Sequence, residues 1–491
     1  MTSSTTVVLI AGAYLVLSLV VGILPGRKAS DSAAGYVAGD RALGLVVMYF
    51  ITGATIFSAF AFLGAPGWAY KKGVAALYII AYGALGFMPF YFLGPRAAEL
   101  GRKHGFVTQA EMVAHRFRMP SIAGLMAFIS TIAFVPYLAI QMKGAGYVIE
   151  SMTRGTVTAE LGSAVVYGVV TLYVFKSGVL GVGWTNVLQG VFMMVLAWIL
   201  GLYLPHHLHG GVREMFTDIA RERPELLQTP GLTAAGKPWT WQGYSTAIIV
   251  SMIGFSCWPH LFMKAFSAKS GRTLRRTVVL YPTFQIFLVP ILLIGFSGVL
   301  FPSEPLKPDQ ILPHLLMNLE LPAVVVGLFC AGALAASMSS GDSMSHASAS
   351  IVVRDGWITA MGRRLSPSGE RTAIRLILLV LMAASYVLSV TYQGELVNLL
   401  LYAYGPVTQF APAIYATLLW PRATGKGVML GMLIGIVLNL AFVIWPEWNV
   451  LGIHAAIYGL VPNILVTIVV SLLTRPNPAP PEELPRTALD A

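Results

Sequence analysis

Charge is scarce in this chain. Only 11% of its 491 residues are Asp, Glu, Lys or Arg, against about a quarter in ordinary soluble domains, which argues against a secreted or cytosolic fold. Cysteine is almost absent. The two present, Cys257 and Cys330, fall inside apolar runs, so a disulfide framework is excluded and both read as small buried hydrophobes. No basic segment precedes the first apolar run and no small-residue cleavage site follows it, which makes that run a retained helix rather than a secretory signal. No His-Glu-x-x-His pair and no nucleophile–base spacing supports an intramembrane enzyme.

What is abundant is apolar surface: 56% of residues are hydrophobic and the mean hydropathy is +0.73. Runs near membrane-spanning length fall at 5–24, 45–69, 73–94, 121–142, 157–175, 184–205, 244–264, 277–301, 321–350, 372–391, 396–420, 426–445 and 452–474. The expected fold is therefore an all-α polytopic membrane protein of about thirteen transmembrane helices. The net charge of +11 is spread over loops, as in Arg96 to Arg118, Lys264 to Arg276 and Arg354 to Arg375. It thus signals topology rather than a nucleic-acid footprint, and places the N-terminus outside and the C-terminus in the cytoplasm. Lys143 is the one basic residue assigned to the interior of a span. The outer segment Val212 to Leu227 has the pattern of an amphipathic surface helix. His206, His207 and His209 are irregularly spaced at a span end and read as solvated. The Pro-rich, acidic tail, residues 476–491, is expected to lack fixed structure.

With the first span set aside, 45–205 and 244–420 each hold five spans of opposite orientation, the arrangement of inverted repeats, followed by two extra helices over 426–474. The leading span of each set is interrupted, by Gly53, Gly64, Pro66 and Gly67 in one and by Gly254 and Pro259 in the other. Unwound backbone at membrane depth is tolerated only where it lines a cavity. Within 321–350, Ala336, Ser339, Ser340 and Ser343 fall at i, i+3, i+4 and i+7 and share one helix face. Such a stripe serves either close helix packing or a desolvated cation.

Several stretches in order resemble the sodium:solute symporter family, whose members share the leucine-transporter-type fold. They are Gly35-Tyr-Val-Ala-Gly-Asp-Arg-Ala-Leu-Gly44, Gly53-Ala-Thr-Ile-Phe-Ser58, Gly101-Arg-Lys-His-Gly-Phe-Val-Thr-Gln-Ala-Glu111, Gly183-Trp-Thr-Asn-Val-Leu-Gln-Gly190, Trp258-Pro-His-Leu-Phe262 with Ala268-Lys-Ser270, and the serine stripe. The resemblance spans about residues 5 to 475 and implies a sodium site made by the carbonyls of Ala54, Phe57 and Ala336 and the hydroxyls of Ser339 and Ser340. Five neutral oxygens suit a monovalent cation that must bind and leave in each cycle.

The chain departs from the family in two places. Asn186 stands where many members carry Asp, and Ile56 where proline-transporting members do. The solute site implied by the family architecture draws on Thr55, Ser58, Tyr137, Gln141, Trp258, His260, Tyr404 and Gln409. Lys143 either snorkels to the outer interface or, with Gln141 and Tyr137, lends positive charge to an anionic solute, as in a monocarboxylate-like branch. Asp342 lies about 100° from the serine stripe and, like Asn186, is assigned a gating or supporting role. His346 reads as a packing histidine, and Gly405-Pro406 as a hinge. The expected function is sodium-coupled uptake of a small organic solute by alternating access. The chain is expected to act as a monomer in the plasma (inner) membrane, with sodium as coupling ion and no organic cofactor. Proton coupling in the same fold and a solute sensor without transport are the alternatives.

Overall fold

The computed structural model describes residues 3–28, 32–301, 308–319, 321–392 and 404–475. The tail at 476–491 and the first part of the expected span 396–420 lie outside these residues. Every regular element among the described residues is helical. The principal helices are α1 (Ser3–Ile23), α2 (Leu45–Ile56), α3 (Ala65–Lys72), α4 (Tyr78–Gly86), α5 (Phe90–His104), α6 (Gln109–Phe117), α7 (Pro120–Met152), α8 (Ala159–His209) and α9 (Val212–Glu222). They continue as α10 (Trp241–Cys257), α11 (Pro259–Ser267), α12 (Gly271–Gln285), α13 (Leu288–Ser297), α14 (Ile311–Asn318), α15 (Ala323–Ile351), α16 (Pro367–Thr391), α17 (Ala411–Leu419), α18 (Gly425–Ile444) and α19 (Ala455–Leu473).

Eight helices among the described residues are long and apolar enough to cross a membrane, ten when each of two bent pairs counts as one span. One of the eight, α8, is 51 residues long and covers two expected spans, because Gly178 interrupts it at φ 55° and ψ −144°. Only glycine suits that place: a Cβ would stand 2.3 Å from the Tyr36 carbonyl oxygen. The expected span 73–94 is divided between α4 and α5. Helix ends follow local chemistry. Thr108 and Glu111 form a reciprocal capping box at α6, and Thr158, Thr240 and Ser270 cap α8, α10 and α12 through side-chain oxygens.

The inner helix is α15, buried without interruption from Phe329 to Ile351 and packed by α1, α2, α7 and α8. Small residues allow this. A Cβ on Gly341 would meet the Tyr167 hydroxyl at 2.5 Å, and that hydroxyl donates to the Ser337 carbonyl at 2.9 Å. The packing role of the stripe's helix is therefore real, and it is carried by Ser337 and Gly341. Large apolar side chains such as Leu9, Val16, Val437 and Ile444 are exposed on the outer helices, as a lipid-facing surface requires. The expected amphipathic helix forms over Val212–Glu222 and buries Met215 and Ile219. The nearby histidines disperse: His207 stacks on Tyr203, and His209 Nε2 lies 3.1 Å from the Ser297 carbonyl.

Candidate functional site

Two helix breaks meet near the molecule's centre. The first follows Ile56, where α2 turns by 57° into the next segment, which opens with a π-helical turn at Phe60–Gly64. The break redirects two amides. Ser58 N–H bonds to the Ile56 carbonyl (2.9 Å) and Ala59 N–H to Gln141 Oε1 (2.8 Å), instead of reaching back to Ala54 and Thr55. Those two carbonyls are released from the helical ladder and accept from α15: Ser339 Oγ donates to Ala54 O at 2.9 Å, and Ser340 Oγ to Thr55 O at 2.6 Å. Ser339 Oγ also lies 3.1 Å from Ala336 O. Four of the five groups expected from sequence thus converge. The Phe57 carbonyl has no hydrogen bond to α15, and the Thr55 carbonyl stands beside Ser340 instead.

Behind this cluster runs a buried polar network. Asp342 receives the Tyr173 hydroxyl at 2.8 Å, Thr185 Oγ1 at 3.0 Å and Asn186 Nδ2 at 3.2 Å from each carboxylate oxygen. Thr55 Oγ1 lies 3.2 Å from Asn186 Oδ1 and 3.1 Å from Ser343 Oγ. Lys264 Nζ donates to Ser343 Oγ at 2.8 Å. Lys264 corrects the sequence reading, which counted it among the basic residues of a loop; it is only 4% exposed, on α11 beyond the second break. The available signal was Pro259: it starts a new helix bent 49° from α10, and so keeps Lys264 within the core.

An aromatic cavity adjoins the first break. Ile56, Phe57, Tyr82, Tyr137, Trp258 and Tyr404 contribute to its wall along with His260 and Gln285, and the free volume inside is about 20 Å³, on the scale of one water molecule. Trp258 is its hub, with ring centroids 5.2 Å from Tyr137, 5.5 Å from His260 and 5.3 Å from Tyr404. Trp258 Nε1, His260 Nδ1 and Ser58 Oγ are buried without a hydrogen-bond partner, and Ser58 lies beside Tyr137. Tyr82 and Gln285 escaped notice in the sequence. Gln285 is an amide in an otherwise apolar stretch, which is the signal that marks it.

The remaining residues expected at the solute site are elsewhere. Thr55 points into the polar network, and Gln141 braces the break. Lys143 lines a different pocket with Tyr147, Glu150 and Glu160, its ammonium donating to the Tyr392 carbonyl. Gln409 bonds to the Ala456 carbonyl at 3.2 Å and receives Asn463, facing α19. Gly405 packs against Asn439, in a helical segment that ends before Gln409, and Pro406 follows it. His346 Nε2 lies 3.0 Å from the Tyr36 carbonyl, within helix packing.

An all-helical, membrane-spanning chain with two broken helices around a polar centre is the architecture of a solute carrier. The chain belongs to the sodium:solute symporter family, whose model matches residues 36–435. It is 27% identical over 476 residues to the protein named uncharacterized symporter YhjB of Bacillus subtilis (strain 168), covering 94% of this chain and 96% of that one. It is 24% identical over 497 residues to a sodium/proline symporter of Staphylococcus aureus (strain JH9), covering 96% and 93%. Among solved structures, a Na+-coupled sialic acid symporter in a substrate-bound outward-open state matches with a TM-score of 0.78 at 19% identity, over 96% of this chain and 98% of that one. Mhp1, a nucleobase-cation-symport-1 family transporter, matches with a TM-score of 0.58 at 15% identity, over 92% and 97%. At such identities the structural likeness establishes the fold, which is of the leucine-transporter type.

Proposed function

We propose that this protein couples the inward movement of sodium to uptake of a small organic solute by alternating access. The observation that carries this is the pair of carbonyls, Ala54 and Thr55, freed by the helix break and met by the hydroxyls of Ser339 and Ser340. Each hydroxyl donates to a carbonyl. When sodium enters, both hydroxyls rotate their protons away and present lone pairs, so the oxygens that held one another hold the ion. Family membership and the likeness to a Na+-coupled symporter support the same ion. The two bent pairs head the segments 45–205 and 244–420, which supports their assignment as inverted repeats rocking about this centre.

The solute enters the aromatic cavity. Trp258 and His260 offer polar ring nitrogens at its wall, and the rings of Tyr82, Tyr137 and Tyr404 bound an apolar space. In this structure the cavity has room for about one water, so it must widen to admit solute; its groups then suit a small solute with one hydrogen-bond-accepting end and a compact apolar body. A monocarboxylate-like anion meets that description without Lys143, which lines another pocket. One sodium crossing 100 mV yields about 2.3 kcal/mol and a tenfold gradient adds about 1.4, enough to concentrate a neutral solute roughly several-hundred-fold.

Thermal stability of the purified protein tests this, across small carboxylates, amino acids and sugars, in sodium and in choline at equal ionic strength. A solute that stabilises only in sodium, and not in Ser339→Ala/Ser340→Ala, is the expected result, because a ligand stabilises the state it binds. Equal stabilisation in choline that tracks pH refutes sodium coupling in favour of protons.

A further inference from the structure

Asp342 is a carboxylate with no exposed surface, deep in a membrane protein. Its direct partners, Tyr173, Thr185 and Asn186, are all uncharged. Such hydrogen bonds orient a carboxylate without neutralising it, and an uncompensated buried charge is costly. Followed outward, the network passes from Asp342 through Asn186 and Thr55 to Ser343, and ends on the Lys264 ammonium. Both charged ends are buried, and both belong to elements that frame the Ser339–Ser340 cluster. Asp342 lies two residues beyond Ser340 on α15, and Thr55 supplies its carbonyl to Ser340 and its hydroxyl to the network.

We propose that Lys264 is a tethered cation of this chamber: its ammonium supplies the positive charge that Asp342 demands, so the chamber carries a single exchangeable sodium, held at Ser339 and Ser340. This rests on the reading of that serine pair as the sodium site. Because Lys264 shares the short helix α11 with His260, and Trp258 immediately precedes it, the charge travels with the segment that lines the solute cavity. A solute that immobilises Trp258 and His260 also holds the ammonium against Ser343. Withdrawal of α11 strips Asp342 of its counter-charge, which ties movement of the solute-side helix to the electrostatics of the ion site.

Equilibrium binding of radioactive sodium to the purified full-length protein decides the matter. The expected result is one sodium per chain in the wild type, two in Lys264→Gln, where the vacated Asp342 recruits a second ion, and one again in Lys264→Gln/Asp342→Asn. A merely structural lysine would not change the number of ions bound. In a second comparison, Asp342→Asn alone leaves the ammonium uncompensated beside the site and weakens sodium binding tenfold or more; adding Lys264→Gln restores it. This arm decides the question if Lys264→Gln alone does not fold. Two sodium ions in the wild type, an unchanged single ion in Lys264→Gln, or no rescue in the double variant overturns the role of Lys264 while leaving the serine site intact. A wild type that binds no sodium, or normal binding in Ser339→Ala/Ser340→Ala, overturns the serine site and this proposal with it.

Discussion

Ser337, Ser339 and Ser340 lie within four positions of one another on α15, yet they face different neighbours. The Ser337 hydroxyl donates to the Gln141 carbonyl at 2.7 Å and shares a hydrogen bond with Tyr167, both packing contacts. Ser339 and Ser340 face the carbonyls that the broken helix releases. Substitution therefore separates the roles. On the proposed reading Ser340→Ala removes a dipole aimed at the sodium, an interaction worth about 1.5–3 kcal/mol when one partner is charged, so sodium affinity should fall roughly tenfold to a hundredfold. Ser337→Ala should lower the melting temperature and leave sodium affinity within about twofold, since its loss is a neutral buried hydrogen bond of about 1 kcal/mol. Sodium titrations of the two variants, followed by intrinsic fluorescence or thermal shift, check the contrast. Equal losses of affinity would mean that α15 acts as a packed unit and that the stripe holds no localised site.

At the scale of elements, the breaks matter more than the spans. A break at membrane depth exposes backbone groups that no water satisfies, so each needs a designated partner. For the first break that partner is Gln141 on α7, whose Oε1 accepts the Ala59 N–H at 2.8 Å. Gln141→Leu keeps the bulk and removes the acceptor, leaving a buried amide orphaned at a cost of about 1–3 kcal/mol. The expected outcome is a lower melting temperature together with weakened sodium binding, because the same kink positions Ala54 and Thr55. A variant with wild-type stability and sodium affinity would show that other contacts hold the kink.

The membrane-spanning, all-helical character of the described residues was legible in the sequence because apolar runs of membrane length need no tertiary information, whereas the expected count of thirteen was not reached: eight to ten spans are found among the described residues. That Ser339 meets the Ala54 carbonyl was legible because the resemblance supplied the partner helix that periodicity alone does not. Lys143 was not. Six residues after Tyr137 on one helix, it sits about 120° round and about 9 Å further along, so the two cannot share a wall of the same small cavity. Lys264 was missed for the opposite reason: hydropathy counts a lysine at the end of an apolar run as loop, while the bend after Cys257 carries the chain on through the interior.

For the molecule as a whole, the proposed alternating access requires that one end close while the other opens, and it assigns the closing of one end to the contacts around Arg41. The residues just before α2 are paired to the end of α11. Leu43 N–H donates to the Ser267 carbonyl at 3.1 Å, and the Leu43 carbonyl accepts from Lys269 at 2.9 Å. Arg41 clamps the junction, reaching the Phe266 carbonyl at 3.1 Å and the Phe106 carbonyl at 2.9 Å. Close by, Arg354 binds Glu111 at 2.6 Å and Glu370 at 2.7 Å, fastening α6 and α16 to the end of α15. The two arginines do different work. Arg354 has carboxylates on both sides, whereas Arg41 bridges segments only through carbonyls that water can replace. Arg41→Ala should therefore shift the balance toward opening at this end by roughly tenfold, about 1.4 kcal/mol, without unfolding the protein. The check is maleimide labelling of Ser267→Cys with Cys257 and Cys330 replaced. Labelling should be slow in the parent, slower still in sodium, and about tenfold faster once Arg41 is removed. Labelling that ignores both sodium and Arg41 would mean that this end does not open in the transport cycle and that the gate lies elsewhere in the bundle.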